Sequence, residues 1–203
     1  MLAALGTGMR LGELLGLRAV NMHLDGPSPA VHVEQALSRT GEFGPVKTPR
    51  SRRSILLSPQ TAALLADLVA RKQPGELVFP APEGGPWDAG NMRYRYWQPA
   101  VAAAQRCDLH PPLTEAAAGV NRLAVSACEC PTRLHLVPRF HDLRHSHVAY
   151  LIAAGWDFHM IQLRLGHASI KTTFDTYGHL LPHGERDRLR DLDALLPSAT
   201  TNT

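Results

Sequence analysis

The sequence has few cysteines and no long apolar run. Among its 203 residues are three cysteines, an odd number that is too small for the disulfide framework of a secreted domain. No apolar stretch reaches the roughly 18 residues that suggest a membrane span. The first residues also lack the basic flank, apolar core and cleavage site of a signal peptide. These absences predict a protein of the reducing cytoplasm that has no membrane partner.

The composition fits a folded domain. Hydrophobic residues make up 44% of the chain, which is enough to bury a core in one domain. The formal net charge of +3 permits nucleic-acid binding but does not require it. The distribution of the charges along the sequence therefore has to show whether a nucleic-acid-binding surface exists. We see no internal repeat and no low-complexity segment.

The apolar spacing predicts a mainly α-helical fold with a small antiparallel β-sheet, an α+β architecture. Strands are predicted at residues 31–33 and 54–57, on either side of the turn-rich basic hairpin GEFGPVKTPRSRR. Residues 107–139 contain several prolines and no clear period, which predicts a long loop or insertion. Helices are predicted at residues 1–17 with a break at Gly6–Thr7–Gly8, from 59 to near Gly75, and at 91–105, 141–154, 158–165, 169–177 and 189–196.

The segment HDLRH places His141 and Arg144 three residues apart, on one face at the start of a predicted helix. Backbone amides and the helix dipole favour an anion there, and an arginine fork matches phosphate oxygens. A solvated helix face would have the same pattern. His141 and His145 also have the spacing of two zinc ligands, but Asp142 stands where zincins carry glutamate and Arg144 would repel the ion.

Three motifs, TGMRLGELLGLR, HDLRH and LGHASIKTTFDTYGH, occur in this order along the chain. Together they resemble the tyrosine recombinase, or phage integrase, family. TGMRLGELLGLR resembles its first arginine motif, with Arg10 in that role, and HDLRH resembles its His-x-x-Arg box. LGHASIKTTFDTYGH resembles its closing signature, which contains His167 and the nucleophile Tyr177. The resemblance assigns the family's hairpin lysine to Lys47, although neighbouring arginines in that turn could replace it. It implies the catalytic set Arg10, Lys47, His141, Arg144, His167 and Tyr177.

The resemblance implies a reaction that uses no metal and no other cofactor. Tyr177 attacks a DNA phosphate, leaves a 3′-phosphotyrosine and frees a 5′-hydroxyl. Arg10, Arg144 and His167 are expected to stabilise the negative charge of the transition state. His141 is expected to accept the tyrosine proton, and Lys47 to protonate the departing 5′-oxygen.

The expected partners are double-stranded DNA at attachment sites and further copies of the chain. The basic turn of Arg50, Arg52 and Arg53, next to Lys47, is predicted to contact DNA, although it also fits a solvated basic loop. The expected domains are a catalytic domain over residues 1–183 and an amphipathic helix with a tail over 184–203. That helix is expected to dock on a neighbouring subunit or to cover its own domain.

Two departures from the family pattern affect these expectations. Arg10 lies so early that the catalytic domain is expected to be truncated at its N-terminus, and Ala19 stands where relatives often have tryptophan. Three functions therefore stay open. They are a recombinase or integrase, a truncated and non-catalytic DNA-binding remnant, and a type IB topoisomerase-like relaxing enzyme.

The loop at residues 107–139 also contains five cysteine and histidine side chains that could bind a metal ion. We expect no zinc there, because Cys-x-Cys is not the usual ligand spacing and the prolines suffice to explain a surface loop. The five side chains are Cys107, His110, Cys128, Cys130 and His135.

Overall fold

The computed structural model of the chain describes residues 1–46, 49–110, 128–131 and 133–180. Helices dominate these ranges and the strands are short and antiparallel, so the predicted α+β class is confirmed. The helices are α1 (Leu2–Thr7), α2 (Leu11–Leu15), α3 (Pro59–Val69), α4 (Ala89–Met92), α5 (Gln98–Ala104), α6 (Asp142–Ala153), α7 (Phe158–Leu165) and α8 (Ile170–Tyr177). The strands are β1 (Met22–His23), β2 (Ala30–Val33), β3 (Gln35–Leu37), β4 (Phe43–Pro45) and β5 (Arg53–Leu56).

Both predicted strands exist, and they pair with each other. Strand β2 lies between β1 and β5 in an antiparallel sheet, with Val31 opposite Ile55. Both of these side chains are buried in the main hydrophobic core. The alternation of valine with polar residues had indicated this inner face. A further antiparallel pair lies between these strands: β4 falls inside the predicted basic hairpin, and β3 precedes that hairpin at residues where no strand was predicted.

The predicted break in the first helical segment lies at Gly8. Helix α1 ends there with Gly8 in the left-handed conformation, at φ 66°, which favours glycine. A Cβ atom at Gly8 would also lie 2.4 Å from the ring of His147 on α6. Arg10 then occupies the N-cap position of α2, where its backbone N–H donates to the carboxylate of Glu13 at 2.9 Å. The turn therefore allows the first helix, the first arginine and α6 to approach one another closely.

The predicted helix from residue 59 starts as expected but ends earlier. Ser58 caps α3 by accepting a hydrogen bond from the backbone N–H of Thr61, with Pro59 in the first turn. The helix ends at Val69 and not near Gly75. The helix predicted at 91–105 exists as α4 and α5, joined by a π-helical turn at Arg93–Trp97.

The last three described α-helices form a second core and agree closely with prediction. Asp157 and Ser169 cap α7 and α8 through their side chains, and Gly166 ends α7 in the left-handed conformation. Val148, Ile161 and Tyr177 belong to the cluster that these helices share. Tyr177 is thus both the predicted nucleophile and a packing residue.

Some expectations fall on other parts of the chain. The helix predicted at 189–196 lies outside the described residues, as does most of the loop predicted at 107–139. Within the ranges that the structure describes, no helix has the length and apolar character needed to cross a membrane.

Candidate active site

Arg144 is the buried centre of the site. It lies in the first turn of α6 and only 2% of its surface is exposed. Its guanidinium donates to the carbonyl oxygen of Gly8 at 2.6 Å and to that of Leu165 at 2.7 Å. These bonds fix α6 to the turn before Arg10 and to the end of α7. Arg144 therefore holds together the three chain segments that contribute the site.

Arg10 and Arg53 share one buried carboxylate. Glu13, 3% exposed, accepts two hydrogen bonds from Arg10, one from its backbone N–H and one from its guanidinium, both at 2.9 Å, and two from Arg53 at 3.0 and 3.1 Å. The Arg10 side chain stays 40% exposed, so part of its guanidinium still faces solvent. Arg53 lies inward, with 6% of its side chain exposed and a further bond to the carbonyl of Arg164.

The charges around Arg144 do not cancel. Burial lowers the pKa of Arg144 to about 9, and the neighbouring charges of Arg10 and Arg53 act in the same direction. Glu13 opposes them with a single negative charge. A buried excess of positive charge next to a partly exposed arginine is suited to bind an anion.

His167 lies beside the same positive charges and is neutral near pH 7. Burial, followed by the charges of Arg144 and Arg10, lowers its pKa to about 4. Its Nδ1 is 2.8 Å from the hydroxyl oxygen of Thr173. A Thr173 hydroxyl that donates to Nδ1 leaves the ring proton on Nε2, where a neutral histidine can donate to an anion.

Tyr177 ends α8 with its ring buried, at 4% exposure. Its hydroxyl oxygen is 2.8 Å from Nδ1 of His145. Burial raises the pKa of Tyr177, and the charge of Arg144 acts against that rise. A phenol that stays neutral in this environment needs a proton acceptor before it can act as a nucleophile, and His145 lies in contact with it.

His141, the residue predicted to accept the tyrosine proton, lies one step further away. It occupies the N-cap position of α6, is exposed to solvent, and meets the ring of His145 edge-on at 5.0 Å between ring centres. Partial burial of its side chain, followed by the charges of His145 and Arg144, lowers its pKa. The hydrogen bond to Tyr177 thus belongs to His145, which the sequence had suggested only as a zinc ligand. The pair at positions 141 and 145, one helical turn apart, was the signal that could have indicated it.

The basic residues of the predicted turn have different environments in the structure. Lys47 lies outside the described residues. Arg50 and Arg52 are exposed, and Arg50 donates a hydrogen bond to the carbonyl oxygen of Ala168, the residue after His167. Arg53, predicted to contact DNA with them, instead forms the internal ion pair with Glu13, because its neighbouring carboxylate lies in the core.

An open groove runs from the exposed part of this turn, along α7, to His167. Arginines from β5, the preceding turn and α7 line it. Because Gly166 has no side chain, the carbonyl oxygen of Arg50 can lie 3.0 Å from the position that a Cβ atom would occupy there. The groove thus connects exposed cations with the predicted site. A polyanion lying in it would reach the neighbourhood of His167 and Arg144.

Two positioning residues were not found from the sequence. Arg164 donates to the carbonyl oxygens of Leu56 and Gly6, and its Nε donates to Nε2 of His147. The Nδ1 of His147 lies 2.7 Å from the carbonyl oxygen of Leu5. These bonds join α7 and α6 to the first helix and to β5. The partners are far apart in sequence, so no local pattern predicts them.

We expect stability to fall in mild acid through His147. Burial and the charge of Arg164 lower its pKa to about 4, so the unfolded chain takes up a proton at a higher pH than the folded chain. Stability then rises with pH between about 4 and 6.5, and the loss from pH 7 to 5 is on the order of 1–2 kcal/mol. Urea denaturation at a series of pH values measures it.

The matched variant is His147→Gln, in which the amide can keep a donor and an acceptor without titrating. Its stability should depend less steeply on pH than that of the wild type in the same window. An unchanged slope would show that His147 is not the group responsible.

A family model described as the phage integrase family matches residues 1–183. The ICEBs1 integrase of Bacillus subtilis is 55% identical over 58 residues, which cover 29% of this chain and 16% of that protein. The tyrosine recombinase XerD of Ralstonia nicotianae is 27% identical over 189 residues, which cover 93% of this chain and 48% of that protein. This chain thus spans about half the length of XerD, the one of these two relatives that it matches over more residues.

A solved structure shows the same fold. The Tn1549 transposon integrase, determined with circular intermediate DNA, superposes with a TM-score of 0.62 at 20% identity. The match covers 96% of this chain and 58% of that one. The mainly helical architecture with small antiparallel sheets is therefore shared with a known integrase.

Proposed function

Because the chain belongs to the phage integrase family, we propose that it is the catalytic part of a site-specific DNA recombinase that acts through Tyr177. The observation that carries this proposal is the excess of buried positive charge around Arg144, which acts on a tyrosine whose hydroxyl contacts a histidine. Such a site suits the attack of a phenol on a phosphate.

In the proposed reaction the oxygen of Tyr177 attacks the scissile phosphorus and forms a phosphotyrosine bond to the 3′ side of the break. The bond from phosphorus to the 5′-oxygen breaks, and that oxygen takes up a proton to become a hydroxyl. The tyrosine proton passes to a histidine. Attack by a 5′-hydroxyl reverses these steps and rejoins the strand, so bond energy is kept in the covalent intermediate.

The roles of the cations follow from the charge that develops. The pentacoordinate transition state gathers negative charge on its non-bridging oxygens, and each preorganised donor contributes on the order of 3 kcal/mol. Arg144 is fixed by two backbone carbonyls and Arg10 is partly exposed, so we assign both to those oxygens. His167 donates from Nε2, and Lys47 remains the proposed acid for the leaving oxygen.

For the tyrosine proton we propose His145 in place of His141. His145 is in hydrogen-bond contact with the Tyr177 hydroxyl, whereas His141 contacts the ring of His145. A general base must lie within hydrogen-bond reach of the proton it removes. His141, exposed at the start of α6, is then available to the phosphate or to solvent.

We propose double-stranded DNA as the substrate and several copies of the chain as the active assembly. The solved Tn1549 integrase was determined with DNA, and the groove from Arg50 to His167 offers this chain a basic path to its site. Exchange between two duplexes requires four strand cuts, and each chain contributes a single Tyr177. A homo-oligomer on paired attachment sites meets that need.

We expect Arg52→Ala to weaken DNA binding through the loss of a phosphate contact. Arg52 is exposed next to the groove. Its removal should lower the affinity uniformly across DNA sequences and reduce the slope of log affinity against log salt by about 1. Titration of labelled duplexes at several salt concentrations measures both. Arg71→Ala, an exposed arginine after α3, serves as the control with the same change in charge. An equal loss of affinity in the two variants would mean that DNA binding depends on the net charge of the protein and not on the position of Arg52.

The proposed activity is tested by trapping the covalent intermediate. Supercoiled plasmids carrying the DNA that flanks the gene are incubated with the chain and denatured with detergent, and peptides that retain DNA are identified by mass spectrometry. A nucleotide on Tyr177 supports the proposal. DNA binding without any adduct supports the alternative, a non-catalytic DNA-binding remnant. Relaxation of supercoils without exchange between two sites would indicate the topoisomerase-like alternative.

A further inference from the structure

A cluster of metal-binding side chains lies in the loop after α5, and none of its members belongs to the proposed active site. The ligand atoms of Cys107, His110, Cys128 and Cys130 all lie within 4.8 Å of one another. Nδ1 of His110 is 3.4 Å from the sulfur of Cys107 and 3.5 Å from that of Cys130. The other metal-binding candidate of this loop, His135, is not part of the cluster.

We propose that these four side chains bind one zinc ion. Three thiolates and one imidazole form one of the common structural zinc sets, and soft sulfur ligands select zinc over magnesium or calcium. A tetrahedral site with Zn–S near 2.3 Å and Zn–N near 2.0 Å separates a sulfur from a nitrogen by about 3.5 Å and two sulfurs by about 3.8 Å. The two sulfur–nitrogen distances already have this length.

The expectation of no metal in this loop depended on the spacing of the cysteines along the sequence. The tertiary arrangement of the four side chains is evidence against that expectation. Cys-x-Cys alone is an unusual ligand pair. Cys107 and His110, however, are separated by two residues, the usual spacing, and close a tight turn in which their backbones form a β-bridge. The fold brings this pair and Cys128–Cys130 together across a long intervening segment. The four ligands therefore come together only in the folded chain, and their spacing along the sequence does not indicate the set.

The backbone around the cluster is arranged to hold it. Arg133 donates from its side chain to the carbonyl oxygen of Cys128 at 2.5 Å. His135 Nε2 lies 2.7 Å from the carbonyl oxygen of Cys130. These contacts fix the orientation of the second ligand pair, as outer residues commonly do at metal sites.

The zinc ion would join the two ends of the loop to the helix before it and the helix after it. The backbone N–H of Leu134 donates to the carbonyl of Ala104 on α5, and the side chains of Gln105 and Trp97 donate to the carbonyls of Leu136 and Pro138. The chain then enters α6, which begins beside His141. The ion is thus a structural clamp, which does not depend on the proposed recombinase activity.

The first test measures metal in the full chain purified from zinc-supplemented cells under reducing conditions. We expect about one zinc ion per chain, and Co²⁺ substitution should give the visible bands of a tetrahedral site together with intense thiolate charge-transfer absorption. Cys107→Ser and His110→Ala should each lower the zinc content severalfold, whereas His159→Ala, an exposed histidine of α7, should not. Cys130→His keeps four ligands and should retain zinc.

Stability supplies the second readout, in case a variant fails to fold. Removal of zinc from the wild type with a chelator should lower its melting temperature, and added zinc should restore it, because binding energy is coupled to folding. Wild-type protein with no zinc and freely titratable thiols would overturn the proposal. Iron with acid-labile sulfide, or a disulfide among the three cysteines, would also overturn it.

Discussion

Tyr177→Phe is expected to abolish the covalent protein–DNA intermediate while the chain stays folded and still binds DNA. The substitution removes the only atom that can form the phosphotyrosine bond, so the adduct should fall below detection. The ring remains packed against Val148 and Ile161 in the second core. The lost hydrogen bond to His145 should cost about 1 kcal/mol of the free energy of unfolding.

The control for this variant is Tyr150→Phe. Tyr150 lies on α6 with 62% of its surface exposed, so the same chemical change there should leave both the adduct and the stability unaltered. The measurement is the fraction of labelled DNA that stays with the protein after denaturation. An adduct that persists in Tyr177→Phe would show that another residue is the nucleophile.

Arg144→Ala is expected to have the largest combined effect on stability and chemistry. It leaves the carbonyl oxygens of Gly8 and Leu165 without their buried donor, which costs about 1–3 kcal/mol for each group. Relief of the repulsion from Arg10 and Arg53 offsets part of this loss. We expect a net destabilisation of about 2–4 kcal/mol. Strand cleavage should fall by about 10²–10³, as for the loss of one transition-state donor.

Arg95→Ala is the matched control, because that side chain is 65% exposed and makes one long ion pair with Glu83 at 3.7 Å. It should change stability by less than about 0.5 kcal/mol. Inorganic phosphate separates the two roles of Arg144. It should raise the melting temperature of the wild type, and raise that of a folded Arg144→Lys variant less. Equal stabilisation of both proteins would limit Arg144 to a structural role.

Local elements followed from local patterns. The alternation around Val31, the proline and serine at the start of α3, and Ser169 before α8 each fix a boundary within a few residues along the chain. Caps and alternation act over about one turn or one pleat, so the sequence displays them directly. The end of α3 was placed too late: Pro74 already limits the helix to the residues before it, and the helix ends earlier still, at Val69.

Several residues of the candidate site were predicted from the sequence, but their arrangement was not. The motifs named Arg10, Arg144, His167 and Tyr177, because the resemblance depends on residue types and order. They did not indicate that Arg53 would lie inside against Glu13, since that ion pair joins residues 40 positions apart. The same holds for the contact of His145 with Tyr177, across 32 positions.

By itself, the sequence determined the family, the mainly helical class and the identity of the candidate chemical groups. Only the tertiary structure decided which histidine contacts the tyrosine, which arginine of the basic turn is internal, and that four potential zinc ligands meet. The physical reason is the distance along the chain over which each interaction acts. Helix and strand signals are local, whereas burial, ion pairing and metal coordination depend on which distant segments the core brings into contact.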